Sequence, residues 1–349
     1  MNIVTSMCVD EDEKDSDVIY PATSEASGDQ RRILYWKCVA VFFATSVRCN
    51  PDAKHLLYTN DKRPVIIDNL DLKQFLTDLT VDIRYVPFKH FKPPAGYSKI
   101  FKNAFYKLDV MRELGMEKED EVNILLDSDC VYTKQNDELI KLLQNNEVLI
   151  YDVYQSYKGT KGKYQQVRVK LGRLYKEINP AYPKTEPTQF GGEFVAATSK
   201  NFKIIADLLE EAFNLILSKF KDQPLRLDDD RRILDGMEFL TSYVYNSMPL
   251  QFFNAKDYIS RIWSSLKFAN AVKEDTRLTI WHLPSEKTQG FPLVYRKIIN
   301  KKSLFWRTPI NNFDAYLGKY LGVPKQVTAQ RFVMLAQKVF EALRKKFLK

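Results

Sequence analysis

The chain has 349 residues, 45% of them hydrophobic and 13% aromatic, enough for one large domain with a full apolar core or for one domain with an appendage. No apolar run reaches the roughly 18 residues of a membrane span, and the N-terminus lacks the basic flank and apolar stretch of a secretory signal, so a cytoplasmic protein is expected. The formal charge of +9 is unevenly spread: residues 1–30 hold eight acids and one base, and the more basic remainder favours an anionic partner such as a nucleotide, a phosphorylated lipid or a membrane surface.

Nucleic acid is the weakest of the anionic partners, because the sequence has no finger, no RNP-like motif and no arginine-rich tract. The four cysteines, Cys8, Cys38, Cys49 and Cys130, show no Cys-x-x-Cys spacing and lie in or beside apolar segments. Buried, reduced thiols are expected rather than zinc ligands or disulfides.

Ile3 to Val9 is rich in β-branched residues and reads as a first strand, followed by an acidic loop from Asp10 to Gln30. From Arg31 the spacing turns helical, with Leu34, Cys38, Val41, Phe42 and Thr45 on one side and Asn50-Pro51 as the stop. A strand is expected over Lys54 to Thr59, a helix over Asp68 to Leu79, an extended segment over Val81 to Phe88, and a loop over the proline-bearing Phe91 to Tyr97. Ser98 to Leu114 reads as a helix that ends at Gly115.

Next comes Asn123-Ile-Leu-Leu-Asp-Ser-Asp129, an apolar strand running into two carboxylates. Alternate side chains of an extended chain point the same way, so Asp127 and Asp129 can converge on one hard cation where the strand leaves the core. The pattern also fits an acidic turn that solvates a strand end. A helix over Asp137 to Gln144, a strand over Val148 to Tyr154 and a basic helix over Gln165 to Ile178 follow. Alternation of this kind builds a mostly parallel sheet with helices on both faces.

In the second half, Gly191-Gly192 sits where a loop becomes the strand Val195-Ala196-Ala197, which suits either a close backbone approach to a ligand or a plain bulge. Helices are expected over Phe202 to Phe220 and from about Arg231 to Tyr245, the second placing Asp235 and Glu238 on one face. His282, one of three histidines, closes the apolar run Leu278-Thr279-Ile280-Trp281, with Lys287 five residues on. From Thr328, Phe332, Leu335, Val339, Phe340, Leu343 and Phe347 recur at helical spacing among lysines and arginines. Such a segment can pack on its own domain or lie on an anionic membrane.

In this order the pieces resemble a nucleotide-sugar-dependent glycosyltransferase of the GT-A superfamily, over about Ile3 to Gly290. Asp127-Ser128-Asp129 resembles the DxD metal motif and Gly191-Gly192 the glycine loop facing donor and acceptor. Asp235 to Glu238 resembles the acidic helix, His282 the C-terminal metal-binding histidine, and Phe105 to Leu114 the helix before the DxD strand. The resemblance implies an α/β fold with a Rossmann-like, mostly parallel central sheet and helices on both faces. Residues 1–300 would form that domain, with 10–30 as an acidic loop or lid, and residues 301–349 a helical extension.

It further implies Mn2+ or Mg2+ held by Asp127, Asp129 and His282, with Asp127 shared between metal and donor. Thr5, Ser6, Lys107, Gly191, Gly192 and Lys287 would contact the donor, a UDP-sugar being favoured. The general base for a carbohydrate or glycolipid acceptor would be Glu238, with Asp235 in reserve. Peripheral contact with the inner face of a membrane through the basic C-terminal helix belongs to the same expectation. Two alternatives remain open: a sugar-1-phosphate nucleotidyltransferase, although nothing similar to Gly-x-Gly-Thr-Arg follows the first strand, and a non-catalytic carbohydrate-binding scaffold.

Overall fold

Ile3 and Val4 are neighbours on the first strand, both wholly buried but in different cores, and that alternation organises the molecule. A computed structural model describes residues 1–10, 28–135, 137–143, 148–154, 161–227, 231–264, 270–324 and 336. The proposed lid and the basic C-terminal segment from Thr328 fall almost entirely outside the described residues. In chain order the elements are β1 (Asn2–Met7), α1 (Gly28–Cys49), β2 (Lys54–Thr59), β3 (Ile66–Ile67), β4 (Leu70–Asp71), α2 (Leu72–Asp78), β5 (Val81–Tyr85) and α3 (Tyr106–Leu114). There follow β6 (Val122–Leu126), β7 (Cys130–Tyr132), α4 (Asp137–Leu143), β8 (Val148–Asp152), α5 (Lys161–Ile178), β9 (Phe190–Thr198), α6 (Ser199–Lys219) and α7 (Met237–Tyr245). The last are β10 (Phe252–Asn254), β11 (Ile259–Arg261), β12 (Ile280–His282), α8 (Gly290–Ile298), α9 (Leu304–Arg307) and α10 (Phe313–Leu321).

The described residues form a seven-stranded sheet in the order β10-β8-β9-β6-β1-β2-β5. Only β9 runs against its neighbours, and the other pairs are parallel, as the near-continuous apolar runs of β1 and β6 require. One face carries Ile3, Leu57, Ile124, Leu126 and Phe194 against α1 and α8, and the other carries Val4, Leu56, Leu125 and Val195 against α3, α6 and α7. The expected α/β architecture is therefore present. Helix α1 is buried almost all round from Trp36 to Ser46, beyond the single apolar side legible in its sequence, because it lies between the sheet and α8.

Three expected helices start late, α2, α3 and α7, and the first two do so for a local reason. Asp68 and Asn69 both adopt positive φ, turning β3 back on β4, and Asp71 then caps α2 by accepting from the amides of Lys73 and Gln74. Lys99 and Ile100 donate their amides to Asp235, and Phe101 has φ of 57°, so α3 begins only after a short 3-10 turn at Lys102–Phe105. Past residue 300, α9 and α10 bury Phe305, Phe313, Leu317 and Leu321 in the same core as α1.

Strands β1, β2 and β5 are linked across one side of β1, and the chain then crosses back through α3 to place β6 on its other side. Open α/β sheets leave a crevice beyond the strand ends at such a reversal. Asp127 follows the end of β6 at this point. A second, three-stranded sheet, β11-β12-β7, closes over it.

Candidate metal centre and cleft

The two carboxylates meet by a turn rather than along a strand. Strand β6 stops at Leu126, Asp127 continues the ladder by donating its amide to the Glu193 carbonyl at 3.0 Å, and the Cys130 amide donates to the Asp127 carbonyl at 3.1 Å. The extended geometry expected for Asp127-Ser128-Asp129 is corrected accordingly: the reversal into β7 brings the side chains together. Antiparallel pairing of Cys130 with His282 then lays β12 beside this turn, and the Leu283 amide donates to the Asp129 carbonyl at 3.0 Å.

His282 Nε2 consequently lies 3.2 Å from Asp129 Oδ2 and 3.8 Å from Asp127 Oδ2. One ligand atom from each of the three residues fits within a span of 4.8 Å. Lys287 Nζ stands 2.7 Å from Asp129 Oδ2, and Lys107, from α3, pairs with Asp127 and donates to the Gly192 carbonyl at 2.6 Å. Burial alone would raise the Asp129 carboxyl, but Lys287 and then His282 outweigh it and hold it well below the usual carboxylate range. Burial would depress His282, yet Asp129 and Glu193 hold the imidazolium up to about 9. The same logic raises Lys287: burial opposes its charge and Asp129 restores it.

A divalent cation fits this donor set. Asp129 is 1% exposed, and its buried Oδ2 has only cationic neighbours, Lys287 and His282, so the carboxylate stays ionised and offers a hard oxygen beside that of Asp127. Two carboxylate oxygens and one imidazole nitrogen suit Mg2+ or Mn2+.

These residues open onto a cavity of about 1130 Å³ whose wall includes Ser6, Lys107, Asp127, Gly192, Glu238 and Lys287. Arg31, Arg32, Arg63 and Arg231 also reach it, Arg32 and Arg63 each pairing with Asp61. Thr5 does not: it is wholly buried, and its hydroxyl donates to the Leu126 carbonyl at 2.8 Å, which corrects its expected place against the donor.

Asp235 and Glu238 do not share a helix face. Helix α7 begins at Met237 after an extended Gly236, and Asp235 precedes it, accepting from the amides of Lys99 at 2.5 Å, Ile100 at 3.3 Å and Arg232 at 2.7 Å. Those contacts tie the loop before α3 to the start of α7, and Asp235 lines the same cavity as Glu238. Glu238, in the first turn of α7, faces the cleft, where it pairs with Arg261 and receives the Gln189 side-chain amide at 3.3 Å.

The glycine pair lies within β9, opposite an irregular stretch where Ile150 pairs with Val195 but Asp152 with Phe190. Gly192 lines the cleft and Gly191 does not. A Cβ on Gly191 would sit 2.0 Å from Glu193 Oε2, so the missing side chain makes room for a neighbour's carboxylate. Sequence reasoning missed Glu193 and Arg261. The available signal was a charged residue, Glu193, inside an otherwise apolar buried strand, whereas three-residue β11 has no periodicity that could single out Arg261.

No family model matches the chain, and no curated protein matches it in sequence. It is similar in structure to solved glycosyltransferases. Mouse xyloside xylosyltransferase 1 is 11% identical, with 81% of this chain and 97% of that one covered at a TM-score of 0.45. The galactosyltransferase LgtC in complex with donor and acceptor sugar analogues is 12% identical, with 93% and 98% covered at 0.43. The bifunctional glycosyltransferase WbbM is 13% identical, with 80% and 45% covered at 0.44. These likenesses are distant, and the functional reading rests on this chain's own residues.

Proposed function

We propose that the chain is a metal-dependent glycosyltransferase that moves a sugar from a nucleotide-sugar donor, a UDP-sugar by preference, to a hydroxyl of a carbohydrate or glycolipid acceptor. The observation that carries the reading is the convergence of Asp127 and Asp129, from the turn after β6, with His282, from a distant part of the chain, so that one ligand atom of each lies within 4.8 Å of the others on the wall of the cleft. Bound there, Mn2+ or Mg2+ would supply positive charge to the diphosphate as it leaves the sugar.

The protein's own cations would do the rest of that work. Lys287 and Lys107 each hold an aspartate at the cleft, and each is placed to meet a phosphate oxygen as a compact point charge. Ser6 and the Gly192 backbone line the wall where a donor would lie. Glu238, at the cleft, would take the acceptor proton once it has released Arg261. The basic segment beyond Thr328 would bring the enzyme to an anionic membrane face on the cytoplasmic side.

The test is release of nucleoside diphosphate from a panel of UDP-, GDP- and CMP-sugars with and without Mn2+. Turnover that needs the cation and is lost in Asp127→Asn supports the reading. Metal-independent sugar binding without turnover would favour a scaffold, and release of pyrophosphate from a nucleoside triphosphate with a sugar 1-phosphate would favour a nucleotidyltransferase.

A further inference from the structure

Glu193 has no part in the chemistry above, yet it is a wholly enclosed charge beside the candidate metal centre, 0% exposed. Its Oε1 lies 3.3 Å from His282 Nδ1, on the side of the ring away from the aspartates. Arg261 grips the same carboxylate at both oxygens, Nε donating to Oε1 at 2.8 Å and Nη2 to Oε2 at 2.6 Å. This grip follows from register, because Arg261 and His282 are direct partners on parallel β11 and β12. It also follows from Gly191, whose absent Cβ would fall 2.0 Å from Glu193 Oε2.

Neutralising Arg261 does not by itself account for Glu193, since Glu238 already pairs with that guanidinium. We propose that Glu193, clamped by Arg261 in the space left by Gly191, is a positioning residue that turns His282 so that Nε2 faces Asp127 and Asp129 as a cation ligand. The inference rests on the metal reading above and extends it to the residues behind the ligand. An imidazole that donates Nδ1–H to a carboxylate keeps the Nε2 lone pair for the metal, and its ring is held against rotation. The contact of His282 Nδ1 with Glu193 thus supplies pre-organisation on the side that the aspartates cannot reach.

The test is a Mn2+ titration of the full chain without nucleotide, free Mn2+ being read by electron paramagnetic resonance. Glu193→Gln is expected to weaken binding by about 10–100-fold, the usual effect of removing a carboxylate behind a ligating histidine. Asp82→Asn, at an exposed carboxylate that pairs with Arg84 and shares no partner with this network, is the control, and its Mn2+ affinity is expected to stay within about threefold of wild type by the additivity of independent sites. Binding by Glu193→Gln equal to wild type, while Asp129→Asn loses it, would overturn this proposal alone. Absence of Mn2+ binding by wild type would overturn the metal reading as well.

Should Glu193→Gln fail to fold, the wild type answers by long-range proton–nitrogen spectroscopy of its three histidines in saturating Mg2+. A His282 ring protonated at Nδ1 and bare at Nε2 is expected. A ring protonated at Nε2 would contradict the proposal.

Discussion

Cys130 and His282 face each other across the antiparallel β7–β12 ladder, and this one pairing delivers the imidazole to the aspartate turn. Asp129 immediately precedes Cys130, so its position relative to the ring follows from strand register rather than from a flexible loop. A site held this way is pre-organised, and single substitutions should separate its chemical from its structural members.

Glu238 and Asp235 are the first such pair. Glu238→Gln is expected to lower kcat by about 10²–10⁴-fold, the range for loss of a general base, with Mn2+ affinity and melting temperature near wild type. Asp235→Ala leaves the amides of Lys99, Ile100 and Arg232 without their acceptor and is expected to destabilise the protein by about 1–3 kcal/mol. Steady-state kinetics beside urea unfolding distinguishes them. Equal losses of kcat at unchanged stability would show that Asp235 has the chemical role assigned to Glu238.

The contrast shows what the sequence could carry. The acidic pair, the histidine that closes an apolar run and the lysine after it were all legible, because strand ends at the reversal of an open sheet are where such residues act. Their partners were not. Arg261 owes its role to the pairing of two three-residue strands, which leaves no local pattern, and Glu193, although a lone charge in an apolar strand, owes its partner to that pairing and to the space at Gly191. The fold was legible for the same reason in reverse: apolar runs in β1, β6 and β9 are long enough to declare themselves. The late starts of α2 and α3 were hidden because they depend on positive φ at Asp68, Asn69 and Phe101.

His55 gives a pH dependence with a definite sign. It is 2% exposed, its Nε2 lies 2.9 Å from Ser46 Oγ, and burial pushes it down to about 4. The unfolded chain binds a proton near pH 6.5 that the folded chain refuses until about pH 4, so stability falls as pH drops through that window. The loss amounts to about 3 kcal/mol at 1.36 kcal/mol per pH unit. Urea unfolding of wild type and His55→Gln at pH 6.5, 5.5 and 4.5 should give a shallower pH slope for the variant. Parallel slopes would mean that His55 is not a buried neutral imidazole.

Arg48 ties the segment beyond residue 300 to the core. Its guanidinium stacks 4.3 Å from the Phe313 ring centre, donates to the Thr308 carbonyl at 2.5 Å and also bonds the Phe305 carbonyl. Arg48→Ala is expected to cost about 2–4 kcal/mol, from one desolvated cation–π contact and the charged hydrogen bonds. Hydrogen exchange should quicken in α9 and α10 before α6 is affected. Uniform quickening throughout would mean that the extension does not open as a separate unit.

The central claim is tested most directly by anomalous diffraction from crystals soaked with Mn2+ and UDP. One manganese peak is expected in contact with the side chains of Asp127, Asp129 and His282, with the diphosphate beside Lys287. A peak elsewhere, or a diphosphate bound in the cleft with no manganese at these three residues, would contradict the account.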